Sequence, residues 1–439
     1  MKNNIRYTLA AIAGIMAAGV LSSCEETYAE KDKGATPEIK YARTCNIEQA
    51  DSLVTSASLG AHLCFVGNNL GDVQQVWFND QKAKLNPTMV TSNTIIVDIP
   101  NVIPGEVTNM ARFITSTGKE TQFPFEVSVP APRIESMSCE YAHAGDVVTI
   151  DGAYFADDPN VPLTVSFGDI PARIRSISQE RLSVEVPEGA VEAPIVVTSI
   201  YGEGKSTFKY MDTTGMLFDF DGITGLGTTQ SWHARPVIAD ETSISGNYTT
   251  LGDGNATMSA AGGWDDNNFS FEYWPGSWNT PTDYPSRVGE RLFDVADFSD
   301  FNNKSLKFEL CIPSDKAWQA GAMQIIFAGT DRVSYGNAGT DIFGNTVVGP
   351  NNDYVNSGWA RGLWTPWTAS TPYHTDGKWI TVSLPIKDFV YQSNGSGADS
   401  FLSSPEDFAS LRIFLLDGGQ TGVDCTPLLK IDNIRVVKN

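Results

Sequence analysis

The residues of this chain best suited to binding chemistry are its tryptophans. Nine of the ten lie beyond residue 231. Six of those crowd into two polar stretches broken by glycine and proline. The first begins Gly263-Trp264-Asp265-Asp266-Asn267-Asn268-Phe269 and continues Glu272-Tyr273-Trp274-Pro275-Gly276-Ser277-Trp278. The second reads Trp359-Ala360-Arg361-Gly362-Leu363-Trp364-Thr365-Pro366-Trp367, with Tyr373 close behind. Trp is favoured where one end of the ring is apolar and the other is wet. Trp amid Asn, Asp and turn residues therefore points to flat surfaces held out for a ligand. Sugar rings fit that description: C–H groups cover the ring face and hydroxyls line its edge. Trp264, Trp274, Trp364 and Trp367 are the expected platform, completed by Tyr273 or Trp278. Tyr273 and Trp274 are adjacent, so in a strand they face opposite sides unless Pro275 bends the chain. The competing reading is that these rings cover a core beneath long loops. Trp318, Trp379 and the lone Trp77 read as scaffolding, and Trp232 is undecided.

Enzyme chemistry finds little support. A glycosidase needs two carboxylates at a set separation, and Glu272 and Glu290 stand alone between Glu241 and Glu309 without a recognisable motif. The four histidines, His62, His143, His233 and His374, are scattered without metal spacing, and no Gly-x-Ser-x-Gly elbow occurs. No catalytic residue, cofactor or metal is expected. The alternatives kept open are a glycoside hydrolase or lyase with a jelly-roll head, and an adhesin that binds protein.

The positioning elements read as all-β. Short β-branched runs such as Ile95-Ile96-Val97 and Ile195-Val196-Val197 are separated by turn residues. An internal repeat is present. Leu63-Cys64-Phe65-Val66-Gly67 aligns with Val148-Thr149-Ile150-Asp151-Gly152, and Phe78-Asn79-Asp80 aligns with Phe167-Gly168-Asp169. Each copy opens on a proline-led segment, Pro37-Glu38-Ile39 or Pro132-Arg133-Ile134. The pattern resembles the IPT/TIG immunoglobulin-like modules and predicts two tandem sandwiches, residues 36–130 and 131–211, serving as a semi-rigid stalk. Beyond Met216 the composition shifts towards Trp, Asn and Gly, and residues 212–439 suit one jelly-roll sandwich. Its opening Phe218-Asp219-Phe220 and closing Ile431-Asp432-Asn433-Ile434 segments resemble jelly-roll carbohydrate-binding modules. That likeness implies that Asp219, Asp221 and Asp432 could hold a structural calcium, or else are solvated strand-end carboxylates.

The amino terminus reads as a processing signal. Lys2 and Arg6 precede an apolar run over residues 9–21, short of the roughly 20 residues needed to span a bilayer. It ends in Leu21-Ser22-Ser23-Cys24, which resembles a bacterial lipobox. Residues 1–23 are then a signal peptide and residues 24–35 an acidic tether on a diacylglycerol at Cys24. An ordinary secretory signal is the alternative. Each buried CH₂ of a lipid contributes roughly 0.8 kcal/mol, so several acyl chains anchor stably. Formal charge is −22, from 30 basic and 52 acidic residues. That balance argues against nucleic acid or polyanions and suits a neutral polymer. Of the remaining cysteines, Cys45 and Cys64 share a module and could bridge, whereas Cys311 reads as a buried thiol.

The whole chain resembles the Bacteroidota surface glycan-binding proteins of the B type. The residues that carry this are the lipobox, the repeats, and the stretches Gly263-Trp264-Asp265-Asp266-Asn267-Asn268-Phe269, Glu272-Tyr273-Trp274-Pro275, Gly321-Ala322-Met323-Gln324-Ile325-Ile326-Phe327 and Gly377-Lys378-Trp379-Ile380. The resemblance implies a non-catalytic lipoprotein on the outer face of the outer membrane. It implies a neutral plant-type polysaccharide as ligand, such as xyloglucan or mixed-linkage β-glucan. It also implies a SusC/SusD-like importer and surface glycanases as partners.

Overall fold

The computed structural model describes residues 27–46, 48, 52–226, 235–274, 291–329 and 358–439. They form two compact units. The first runs to Pro130 and includes Asp158–Val161; the second takes Ala131–Asp157 and Pro162–Asn439.

The first unit pairs two four-stranded antiparallel sheets. One orders Leu53–Val54, Glu38–Thr44, His62–Asn68 and Thr94–Asp98; the other orders Gln81–Lys82, Val73–Phe78, Met110–Thr115 and Glu120–Pro124. Strict alternation in Met110–Thr115 sends Ala111 and Phe113 inward. Phe113 and Phe125 meet Phe65 edge-on, with centroids at 5.0 and 5.7 Å. Trp77 lies half-buried on the sheet surface, beneath Arg112 at 5.5 Å. The repeat has a backbone cause. A Cβ on Gly67 would sit 1.8 Å from the Glu38 carbonyl, and one on Gly152 would sit 2.1 Å from the Arg133 carbonyl. Glycine is needed where each opening strand bulges across its neighbour.

The second unit begins with an immunoglobulin-like module of seven strands, from Arg133–Met137 to Gly202–Tyr210. The head follows, as two sheets. Its strands are β1 (Met216–Phe218), β2 (Thr249–Leu251), β3 (Ser270–Tyr273), β4 (Lys304–Cys311), β5 (Ala322–Ala328), β6 (Gly362–Trp364), β7 (Ile380–Pro385), β8 (Ser410–Leu416) and β9 (Leu429–Lys438). One sheet runs β1-β9-β4-β7 with β2 also on β9; the other runs β3-β8-β5-β6. First and last strands pair, with Met216 opposite Arg435. Phe271, Tyr273, Met323, Ile325, Leu411 and Ile413 from one sheet join Leu306, Phe308, Leu310, Ile431 and Ile434 from the other in a single core cluster.

The outer face of the β4–β9 sheet is polar and closed. Arg435 on β9 is fully buried. Its Nη1 donates to Glu309 Oε2 at 2.8 Å, and its Nη2 donates to Glu140 Oε2 of the immunoglobulin-like module at 2.7 Å. Lys307 Nζ reaches the other Glu140 oxygen at 2.5 Å. Burial alone would lower the Arg435 pKa; the Glu309 and Glu140 carboxylates outweigh it and raise it, so the guanidinium stays charged. Backbone joins in: Glu140 N–H donates to Thr381 Oγ1 at 2.7 Å, and Thr381 N–H to the Ser138 carbonyl at 2.9 Å. Met216 and Ile244 of the head belong to the module's own hydrophobic cluster, and Trp379 packs against it. The second module, expected as part of a semi-rigid stalk, is therefore a fixed part of the head.

Among the described residues Cys45, Cys64, Cys139, Cys311 and Cys425 are free thiols. The bridge considered between Cys45 and Cys64 is absent; Cys64 is sealed inside the sheet while Cys45 lies beyond the end of its strand. No three His, Cys, Asp or Glu side chains come together among the described residues as a cation site. Asp219 Oδ1 accepts backbone N–H groups from Asp221, Gly222 and Ile223, and Asp221 Oδ1 accepts from Asn247. The calcium reading finds no ligand cluster in these residues.

Candidate functional site

The second sheet supplies the site. Register places Glu272 opposite Arg412 and Arg412 opposite Ile326, while Ser270, Phe414 and Gln324 stand in the next row. Alternation puts these six on the face opposite Phe271, Tyr273, Met323, Ile325, Leu411 and Ile413. Polar side chains within apolar strands make this face, as in Leu411-Arg412-Ile413 and Met323-Gln324-Ile325.

Arg412 is its centre. It is 1% exposed, with Nη2 on Glu272 Oε1 at 2.5 Å and 3.9 Å from Asp266 Oδ2. Its Nε donates to Ser270 Oγ at 3.1 Å, and Ser270 Oγ donates to Glu272 Oε1 at 3.0 Å. Its guanidinium lies 4.6 Å from the Phe414 ring centre and 5.2 Å from that of Trp264. The charge is thus held by carboxylates and by two neighbouring rings, partners suited to guanidinium. Gln324 extends the layer: its Nε2 donates to the Ser393 and Leu416 carbonyls, and its Oε1 accepts from Arg361 Nη1 at 2.9 Å. Glu272 Oε2 is buried without a hydrogen-bond donor among the described residues.

Trp264 lies over this layer. At 47% exposure it is the most exposed of the described tryptophans. Phe414 meets it edge-on, with centroids at 5.0 Å and planes at 89°. Arg412 and Phe414 fix the ring while leaving about half its surface to solvent. The loop behind it is rigid for local reasons. Asp265 caps the short turn Asp266–Phe269 through the Asn268 N–H at 3.2 Å, and Asn268 Nδ2 returns to Asp265 Oδ2 at 2.8 Å. Arg235 donates to the Asn268 and Asn267 carbonyls at 2.6 and 2.8 Å. Asp265 and Asn268 are largely used in holding the loop.

The other expected platform residues do not join Trp264. Tyr273 is sealed in the core against Phe218, with ring centres at 5.2 Å. Trp274 is 4% exposed and belongs to the core cluster. Trp367 is 3% exposed, with its indole N–H on the Gly321 carbonyl at 2.9 Å. Trp364 is half-buried among Trp318, Tyr373 and Phe308. Trp278 lies outside the described residues, as do Trp232 and Cys24. For Trp367 the physical reason is that a backbone carbonyl can satisfy an indole N–H inside the fold. Trp318 uses Ala320 and Trp359 uses Phe327, both at 2.6 Å. Tryptophan in turn-rich sequence thus becomes core. Arg412, Gln324, Phe414 and Arg361 escaped notice; the available signal was a lone polar residue at period two inside an apolar strand.

A β-sandwich with an immunoglobulin-like module fused to one sheet, and an exposed aromatic ring on a rigid polar layer over the other, has the form of a non-covalent ligand-binding head. Comparison with known proteins makes the assignment narrower. The family described as surface glycan-binding protein B xyloglucan binding domain matches residues 210–438, and the IPT/TIG domain family matches residues 132–211. The chain belongs to the surface glycan-binding protein B family. The crystal structure of the surface glycan-binding protein PbSGBP-B from Prevotella bryantii is similar to it, with a TM-score of 0.83 and 44% identity, covering 92% of this chain and 99% of that one. An IPT/TIG domain-containing protein of Bacteroides ovatus is 28% identical over 226 residues, 49% of this chain; the match spans 45% of that relative's length.

Proposed function

We propose that this protein is a non-catalytic glycan-binding protein of the bacterial surface, which retains a neutral β-glycan of the xyloglucan or mixed-linkage glucan class. The observation that carries the reading is Trp264: a solvent-facing indole held by Arg412 and Phe414 on the polar sheet of a head that the xyloglucan-binding family covers. The exposed ring receives the C–H face of a sugar, and nearby polar groups receive its hydroxyls. Because the ring is already fixed, little ordering entropy is lost on binding. Glu272, the buried carboxylate of this layer, is committed to Arg412 and Ser270, which supports binding over acid–base work. A lipid on Cys24 holds the chain on the outer face of the outer membrane. There it passes polymer to a SusC/SusD-like importer and surface glycanases, and many anchored copies on one polymer raise the avidity.

Affinity electrophoresis in gels containing xyloglucan, mixed-linkage glucan or no polymer tests the reading. Wild type is retarded by at least one glucan, and prolonged incubation yields no new reducing ends. Free migration in every neutral glycan sinks the binding function; new reducing ends sink the non-catalytic part. Growth in labelled palmitate tests the anchor, and a Cys24→Ala chain that still carries label rules it out.

A further inference from the structure

A second aromatic site lies away from Trp264. The immunoglobulin-like module and the head enclose a cleft of about 530 Å³, within the roughly 300–1,000 Å³ of small-molecule sites. Trp379 lines it. Its indole N–H is committed to the Thr242 carbonyl at 2.7 Å, and Tyr248 meets its ring edge-on at 5.8 Å. The ring is half-buried, so what it offers the cleft is apolar surface and not a hydrogen bond. Polar groups surround it: Lys378 from the head, and His143, Asp146 and Thr149 from the module. His143 is oriented by two contacts, with Nε2 at 2.7 Å from the Ile244 carbonyl and its backbone N–H on Asp146 Oδ2 at 2.9 Å. Val147, 57% exposed, forms part of the wall.

We infer that this cleft is a second glycan-contact site, taking one or two sugar units of a neutral glycan; the inference rests on the glycan-binding reading of the head. Three features favour that occupant. An aromatic surface ringed by donors and acceptors matches a sugar's apolar face and hydroxyl edge. One Lys, Lys378, and one Asp, Asp146, line the cleft, so it carries no strong single charge and selects against polyanions and polycations alike. Finally, the walls come from two modules locked together by Glu140, Arg435, Glu309 and Lys307, so the cleft is preformed and binding need not order it. Two separated contacts on one rigid body let a single polymer chain engage both, raising its effective concentration at the second.

Calorimetric titration of the full chain with a xylogluco-oligosaccharide tests this, using wild type, Trp264→Ala, Val147→Arg and the double variant. Val147→Arg crowds the cleft from an exposed position, and thermal melts verify that every variant folds. The expected result is residual binding in Trp264→Ala, at least tenfold weaker than wild type, that the added Val147→Arg removes. Complete loss in Trp264→Ala, or residual binding indifferent to Val147→Arg, overturns the cleft while leaving the Trp264 face intact. Loss through Val147→Arg alone, with Trp264→Ala unchanged, supports the cleft and moves the main site to it. Absence of wild-type binding overturns both.

Discussion

The two sheets of the head carry the same kind of outer face and put it to opposite uses. On the β4–β9 sheet, Lys307, Glu309 and Arg435 alternate with apolar core residues; on the β3–β8 sheet, Ser270, Glu272, Arg412 and Gln324 do so. Both faces centre on a buried arginine held by a glutamate, Arg435 with Glu309 and Arg412 with Glu272. The first face meets Glu140 of the neighbouring module, which seals it as a permanent joint. The second carries Trp264, which leaves an apolar ring in solvent. A charged layer in a sheet is thus a foundation, and what stands on it decides between structure and recognition.

The largest way to break the comparison is to remove the seal. Glu140→Ala leaves Lys307 and Arg435 buried with less compensation, a loss of about 3–5 kcal/mol when one partner of a buried pair is removed. Denaturant melts should show the second unit strongly destabilised. A melt like wild type would mean that the joint contributes nothing. The matching cut on the other face, Arg412→Met, frees Trp264 and leaves the buried Glu272 carboxylate unpaired, so affinity is read below the variant's own melting transition. We expect glycan affinity to fall about tenfold, roughly 1.4 kcal/mol, and indole emission to report a more mobile ring. Unchanged affinity would show that Trp264 needs no support.

A third expected effect depends on pH. Asp432 on β9 is fully enclosed, and burial pushes its pKa up to about 8; the charges of Glu309 and Asp221 add to this, while the Asn433 N–H and Ser245 hydroxyl oppose it. Its pKa when unfolded is about 3.9. A raised folded pKa means full stability below the unfolded value, lost as pH rises from about 4 to about 8. Asp432→Asn removes that loss. It should melt higher than wild type at pH 8, by about 2–4 °C for each kcal/mol recovered, and equally at pH 4. A gap of the same size at both pH values would refute the titration.

Much of the architecture was legible in the sequence because its signals are local. Gly67 and Gly152 mark the crossing of each opening strand, and the aligned Asn79 and Gly168 share the left-handed conformation, with φ of 53° and 57°. The composition break after Tyr210 falls where the two family matches meet. The site was less legible because burial is not local. Trp264 and Trp367 both stand among polar and turn residues, and only tertiary packing exposes one and buries the other. Arg412 and Arg435 carry no sequence signal of their role, because nothing nearby in sequence names Glu272 or Glu140 as their partners.

The central claim is that one exposed ring on a rigid polar layer, and not the tryptophan cluster as a whole, carries recognition by the head. Titrating xyloglucan oligosaccharide into Trp264→Ala and Trp367→Phe, each with a thermal melt, tests it most directly. The account predicts that Trp264→Ala melts like wild type and loses roughly 2 kcal/mol of binding, about 30-fold in Kd, whereas Trp367→Phe melts lower and binds normally. Wild-type affinity in Trp264→Ala, or loss of affinity in a fully folded Trp367→Phe, would contradict it.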